Sequence, residues 1–92
     1  MTFTYPAIFK QMPDGTYEGH FIDLEGCSAR GDNLDLCIRD AIEEMRSWIQ
    51  VELEEEEVHM PAVTHIDDVI PGAGEIVRNI GAIVRMTDGY DE

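Results

Sequence analysis

NLDLCIRDAIEEMRSWIQVEL, residues 33–53, is the longest periodic segment of the chain and the one from which its architecture follows. At roughly 100° of rotation per residue, its apolar side chains fall on one wide stripe while most charged ones face away. The stripe consists of Leu34, Cys37, Ile38, Ala41, Ile42, Met45, Trp48 and Ile49. Asn33 is a good N-cap. The pattern predicts an amphipathic helix with one side buried.

The apolar stripe stops before the predicted helix ends. Glu52, Glu55 and Glu56 stand where further core residues would be expected, within the acidic set Glu52 and Glu54–Glu57. Such a run is typical of a solvated helix end. It would equally suit a surface for a basic partner, and the pattern leaves both interpretations open.

Length and composition restrict the function classes. The 92 residues predict a single domain over 1–92, and no apolar run is long enough for a membrane span. The N-terminus has no signal-peptide pattern, so we expect a cytoplasmic protein. The net charge of −14 would repel nucleic acid and attract a cationic protein. We therefore expect no direct nucleic-acid binding and no membrane association.

The cysteines and histidines show no ligand spacing. Cys27 and Cys37 form no CxxC pair, and Cys37 fits a small core residue at the edge of the helix stripe. We predict no disulfide, no metal site and no cofactor.

Alternating residues before the helix indicate strands. Residues 3–9 and 16–22 flank a Pro-Asp-Gly turn and predict a β-hairpin. Pro6 indicates either that strand pairing is complete only beyond it or that it lies where no ladder donor is needed. Residues 27–30 can form a third strand. The fold class is therefore α+β, an antiparallel sheet with one main helix packed on one face. The sheet face expected to meet the helix carries Phe3, Tyr5, Phe9, Tyr17 and Phe21.

The C-terminal part predicts a connector and a last strand. We expect the connector to hold one short helical turn at residues 66–69, and the strand to run from Glu75 to Thr87 with a kink or bulge at Gly81. Ile76, Ile80, Val84 and Met86 share one face of this strand, and Val77 and Ile83 lie on the other. The second apolar face predicts a homodimer or higher homo-oligomer, unless the connector 58–74 covers it.

The run FIDLEGCSARGDNL, residues 21–34, leads into the alanine-bearing helix and resembles the HicB family of bacterial antitoxins, with its pattern F-P-D-L-P-G-C-x-[ST]-x-G-D. Tyr5-Pro6-Ala7-Ile8 and Asp14-Gly15-x-Tyr17 match the family's first hairpin, and the likeness covers essentially the whole chain. Ile22 and Glu25 stand where the family has prolines, and Leu36-Cys37 replaces an acidic residue and alanine. Many members continue into a DNA-binding domain, and we expect a short form without one.

The resemblance implies a partial RNase H-like β-β-β-α-β fold and an antitoxin that neutralises HicA, a small basic mRNA-cleaving toxin. The acidic set would occlude the toxin's RNA-binding face, with apolar contacts supplying part of the affinity. The candidate partner-binding residues are Glu52, Glu54, Glu55, Glu56, Glu57, Asp23, Glu25, Leu36, Val51 and Met60.

Two other functions are compatible with parts of the same sequence. An orphan HicB-like adaptor or DNA-mimic inhibitor would share the same charge and is distinguished by the lack of an adjacent basic reading frame. A minimal RNase H-like nuclease would need carboxylates clustered on the central sheet to hold two metal ions, and residues 3–9 contain no acidic residue. We therefore expect no catalytic residues and no enzymatic activity.

Overall fold

A computed structural model describes residues 1–84. Within this range the strands form one antiparallel sheet in the order β3-β2-β1-β4. The elements are β1 (Thr2–Gln11), β2 (Tyr17–Phe21), β3 (Ser28–Gly31), α1 (Leu34–Leu53), a short 3₁₀ helix (Ile66–Asp68) and β4 (Glu75–Ile83). The α+β class and the β-β-β-α-β order are confirmed, and the RNase H-like detail stays a prediction.

The start of helix α1 and the face that it buries are those that the sequence predicts. The Asn33 side chain accepts a hydrogen bond from the Leu36 backbone N–H at 2.9 Å, which satisfies one of the unpaired donors of the first turn. The fully buried positions recur every fourth residue: Cys37, Ala41, Met45 and Ile49. They pack on the sheet face that carries Tyr5, Phe9 and Phe21. The interface between this helix face and the sheet is the core of the domain.

The β1–β2 hairpin has its turn where it was predicted. Asp14 accepts hydrogen bonds from both the backbone N–H and the hydroxyl of Thr16, and Gly15 adopts a φ of +94°. These two hydrogen bonds hold the pKa of Asp14 below its usual value. The turn thus combines a side-chain acceptor with the one residue type that tolerates a positive φ freely.

Pro6 occupies a position that needs no N–H donor. Pairing between β1 and β2 begins at Ala7, which lies opposite Phe21. On the other side of β1, Met1 and Val84 exchange both backbone hydrogen bonds, at 2.8 and 3.1 Å. Since hydrogen-bonded positions alternate along an antiparallel pair, the backbone nitrogen of Pro6 points away from β4. The sequence-based placement of Pro6 is confirmed.

Strand β4 corrects one prediction. Its pairing with β1 runs without interruption from Glu75 opposite Lys10 to Ile83 opposite Thr2, and Gly81 lies directly opposite Thr4. The bulge predicted at Gly81 is therefore wrong. A Cβ atom built at Gly81 would meet its neighbours only at ordinary contact distances, so the glycine is not required by tight packing. The strand is described as far as Ile83, and the predicted positions Met86 and Thr87 lie outside the described residues.

Both cysteines are free and buried, and the predicted core position of Cys37 is confirmed. Burial, with the nearby Glu44 carboxylate as a smaller cause, raises the pKa of Cys27 to about 11. Burial also raises the pKa of Cys37, with smaller contributions from Asp40 and Glu18. Both thiols are therefore protonated core groups at neutral pH.

We expect the folded chain at pH 8 to react with a thiol reagent such as DTNB at least about a hundredfold more slowly than the urea-unfolded chain. The reason is that a Cys27 pKa raised to about 11 lowers the thiolate fraction at pH 8 by about that factor, and burial limits access further. Absorbance of the released thiolate measures the rate. Equal rates in the folded and unfolded chains would contradict the buried placement.

Candidate partner-binding surface

Four consecutive glutamates, Glu54–Glu57, follow the end of α1 and are all exposed. We call them the acidic run. Glu54 caps the helix through its backbone, whose N–H bonds to the carbonyls of Val51 and Glu52. The last helical turn contains no basic residue. The carboxylates therefore lie at the negative end of the helix dipole, an arrangement that opposes helix stability and makes the local potential strongly negative.

Glu52 differs from the acidic run, because part of its side chain has a structural role. It is half-buried, and its Oε2 accepts a hydrogen bond from the backbone N–H of His59 at 3.1 Å. This contact ties the chain after the acidic run back to the helix. The neighbouring His59 imidazole lies 3.2 Å from a carboxylate oxygen of Glu57. The acidic run is thus a short loop closed by Glu52 and His59.

Asp23, a predicted contact residue, is occupied within the chain. Its two carboxylate oxygens accept hydrogen bonds from the backbone N–H and the hydroxyl of Thr64, at 2.8 and 2.6 Å. The residue is half-buried, and it joins the turn after β2 to the connector. The Asp23 carboxylate also contributes, after burial, to raising the pKa of Tyr5, whose hydroxyl donates to the Pro61 carbonyl at 2.6 Å. Asp23 is therefore a structural acceptor rather than an open charge.

The three apolar candidates lie in different places. Val51 is 61% exposed beside the acidic run, and Leu36 is 43% exposed on the first turn of α1. The helical rise of 1.5 Å per residue places these two side chains about 22 Å apart along the axis. Met60 packs against the core. The structure therefore groups Val51 with the glutamates and leaves Leu36 and Met60 outside that surface.

Glu25 lies in the turn between β2 and β3, with its side chain exposed. Its backbone carbonyl accepts a hydrogen bond from the Trp48 indole N–H at 3.0 Å. This bond fixes the turn to the C-terminal half of α1. Glu25 is thereby placed beside the helix face that carries Val51.

A groove runs between this turn and the helix, and sequence reasoning missed it. It is lined by Gly26 and Cys27 from the turn, and by Glu44, Ser47, Trp48, Val51 and Glu52 from the helix. We call it the helix–turn groove. The helical residues recur at i, i+3, i+4, i+7 and i+8, which puts them on one face. That spacing is the signal in the sequence that could have revealed the groove, but the core stripe also accounts for Trp48.

Two further features of residues 1–84 bear on other functions. No group of three or more His, Cys, Asp and Glu side chains in this range is arranged to hold a metal ion. No helix there has the length and apolar character that crossing a bilayer requires.

The fold and surface together define a small α+β domain with a negatively charged face at the end of its one long helix. No protein-family model matches the chain, and no curated protein matches it.

Proposed function

We propose that this chain is an antitoxin-type binding module of the HicB kind, which neutralises a basic, HicA-like mRNA-cleaving toxin in the cytoplasm. The single observation that carries the proposal is the exposure of the whole acidic run at the negative end of the helix dipole. The chain's net charge of −14 and the HicB-like run at residues 21–34 support it.

The proposed mechanism is occlusion. A ribonuclease holds the phosphates of its substrate on a cationic face, and the carboxylates of the acidic run can occupy that face instead. Surface charges of this kind chiefly accelerate and orient the encounter. The exposed Val51 next to them offers an apolar contact that can slow dissociation.

The proposal is for a binding module without chemistry of its own. An RNase H-like nuclease would require carboxylates on the central strands, arranged to hold two metal ions. Strand β1 lies inside the sheet between β2 and β4, and its ten residues, TFTYPAIFKQ, include no acid. This distribution of acids favours binding over hydrolysis.

The test uses the product of a short basic reading frame adjacent to the gene of this chain. The two proteins are mixed, co-purified through a tag on one of them, and assayed for cleavage of a labelled mRNA. We expect a stable complex in which cleavage is suppressed in proportion to the chain added. A ribonuclease that stays active and unbound, or the lack of any such reading frame, would refute the proposal.

We further propose that the chain forms a homodimer or higher homo-oligomer through β4. Val77, Asn79 and Gly81 occupy positions whose backbone groups point away from β1, so they face the edge of the sheet that no strand within residues 1–84 covers. Ile83, on the sheet face opposite α1, is 61% exposed.

We expect light scattering after size-exclusion chromatography to give at least twice the mass of one chain. Substituting Ile83→Lys should shift that mass toward one chain, because it adds a charge to the proposed contact. Val63→Lys is the matched control, because it places the same charge at another exposed aliphatic residue, and it should leave the mass unchanged. A single-chain mass at every concentration would contradict the oligomer.

A further inference from the structure

The helix–turn groove has an apolar floor and a negative rim. Cys27, Trp48 and Val51 provide the apolar surface, and Glu44 and Glu52 lie about one helical turn before and after Trp48. Glu44 is exposed, and Glu52 keeps one carboxylate oxygen free of the His59 contact. Both charges therefore border the groove rather than lying buried beneath it.

No basic side chain lines this groove within the described part of the chain. The nearest helical cation in sequence, Arg46, is directed elsewhere. Its guanidinium pairs with Glu43 and donates from Nε to the Ile83 carbonyl at 3.2 Å. The negative rim of the groove is therefore left without an internal counter-charge.

Trp48 is held in position at the groove. The indole N–H donates to the Glu25 carbonyl, so the ring's orientation is set before any partner arrives. Cations are attracted to the face of an indole ring more strongly than to the other aromatic side chains. An aromatic ring beside two carboxylates forms the type of site that favours a planar cation over a point charge.

We infer that the helix–turn groove receives an arginine side chain of the basic partner, with the guanidinium between Glu44 and Glu52 and its stem against Val51 and Trp48. This assignment rests on the proposed function in one respect, that the partner is a basic protein. It places the tightest contact in the groove and gives the acidic run the separate role of steering. Arginine is favoured because its planar guanidinium can donate two parallel hydrogen bonds to a carboxylate and can also stack on an indole ring.

The first experiment uses a short capped peptide with one arginine between two leucines, and a twin with citrulline in place of arginine. Citrulline keeps the shape and removes the charge. The NMR signal of the Trp48 indole N–H, from the only tryptophan of the chain, reports occupancy at low salt. We expect the arginine peptide to shift this signal and to bind about fivefold or more tightly than its twin. Equal binding of the twins would overturn the assignment.

Matched variants locate the binding. Glu44→Gln should weaken binding of the arginine peptide about threefold to fivefold. Glu55→Gln, in the acidic run but outside the groove, should change the affinity less than twofold. Equal effects of the two variants would mean that only diffuse charge attracts the peptide, and the groove assignment would fall.

A second pair tests the groove in the full complex with the ribonuclease. Val51→Lys adds a cation to the groove, and Leu36→Lys makes the same change of charge near the other end of the helix. We expect about a tenfold or greater loss of affinity for Val51→Lys and less than a twofold loss for Leu36→Lys. If the chain inhibits the ribonuclease and the two variants lose affinity equally, the proposed function is retained and the groove assignment is overturned. Arginine-peptide binding without ribonuclease inhibition would overturn the proposed function alone.

Discussion

Replacing all four residues of the acidic run, Glu54–Glu57, with glutamine is expected to slow association with the basic ribonuclease by about tenfold to a hundredfold at low salt. The four carboxylates are exposed and lie beside the negative end of the α1 dipole, so they dominate the field that an approaching cationic face meets. Stopped-flow fluorescence of Trp48, over a series of salt concentrations, measures the rate. The slope of rate against ionic strength should also become shallower.

The matched control replaces four exposed aspartates elsewhere, at positions 32, 35, 67 and 68, with asparagine. Both variants lose the same number of negative charges, so they separate the position of the charge from its total. We expect less than about a threefold effect on the association rate from the control. Equal slowing in the two variants would show that net charge alone, and not the acidic run, attracts the partner.

Gly31→Ala is expected to destabilise the domain by about 3 kcal/mol, at the upper end of what overpacking costs. A Cβ at Gly31 would contact the backbone nitrogen of Cys37 and lie 2.7 Å from its Cα, so the first turn of α1 would have to move away from β3. Backbone atoms of a helix cannot yield as a flexible side chain can. Urea denaturation followed by circular dichroism measures the free energy of unfolding.

Gly81→Ala is the control for that change. A Cβ there would have its nearest neighbour, the Thr4 hydroxyl oxygen, at 3.6 Å, an ordinary contact distance. We expect the free energy of unfolding to change by less than about 1 kcal/mol. A small effect at Gly31, or a larger one at Gly81, would contradict the packing of α1 on the sheet described above.

The sequence predicted those features that depend on local periodicity. The stripe in residues 33–53 and the Asn33 cap act through neighbours three or four positions away, so the helix and its buried face could be read directly. The hairpin followed from Asp14-Gly15 for the same reason. The short helical turn in the connector, at Ile66–Asp68, was also predicted and is confirmed.

The features that were missed depend on contacts distant in sequence. The hydrogen bonds from Thr64 to Asp23 join residues that are 41 positions apart, and beside the helix–turn groove the Trp48 indole donates to the carbonyl of Glu25, which is 23 positions away. A pattern of carboxylates along the chain shows which charges are present but not which are already occupied. Gly81 differs from its prediction for a related reason: a glycine in a strand fits either a bulge or a place with open space beside it, and only the pairing register distinguishes the two.

Under the proposed mechanism, the chain and RNA compete for one face of the ribonuclease. A catalytically inactive ribonuclease is loaded with fluorescent RNA, and anisotropy is followed as the chain is added. We predict that the RNA is displaced, with its apparent dissociation constant rising in proportion to the concentration of the chain. A ternary complex, in which the RNA stays bound while the chain binds as well, would contradict the account.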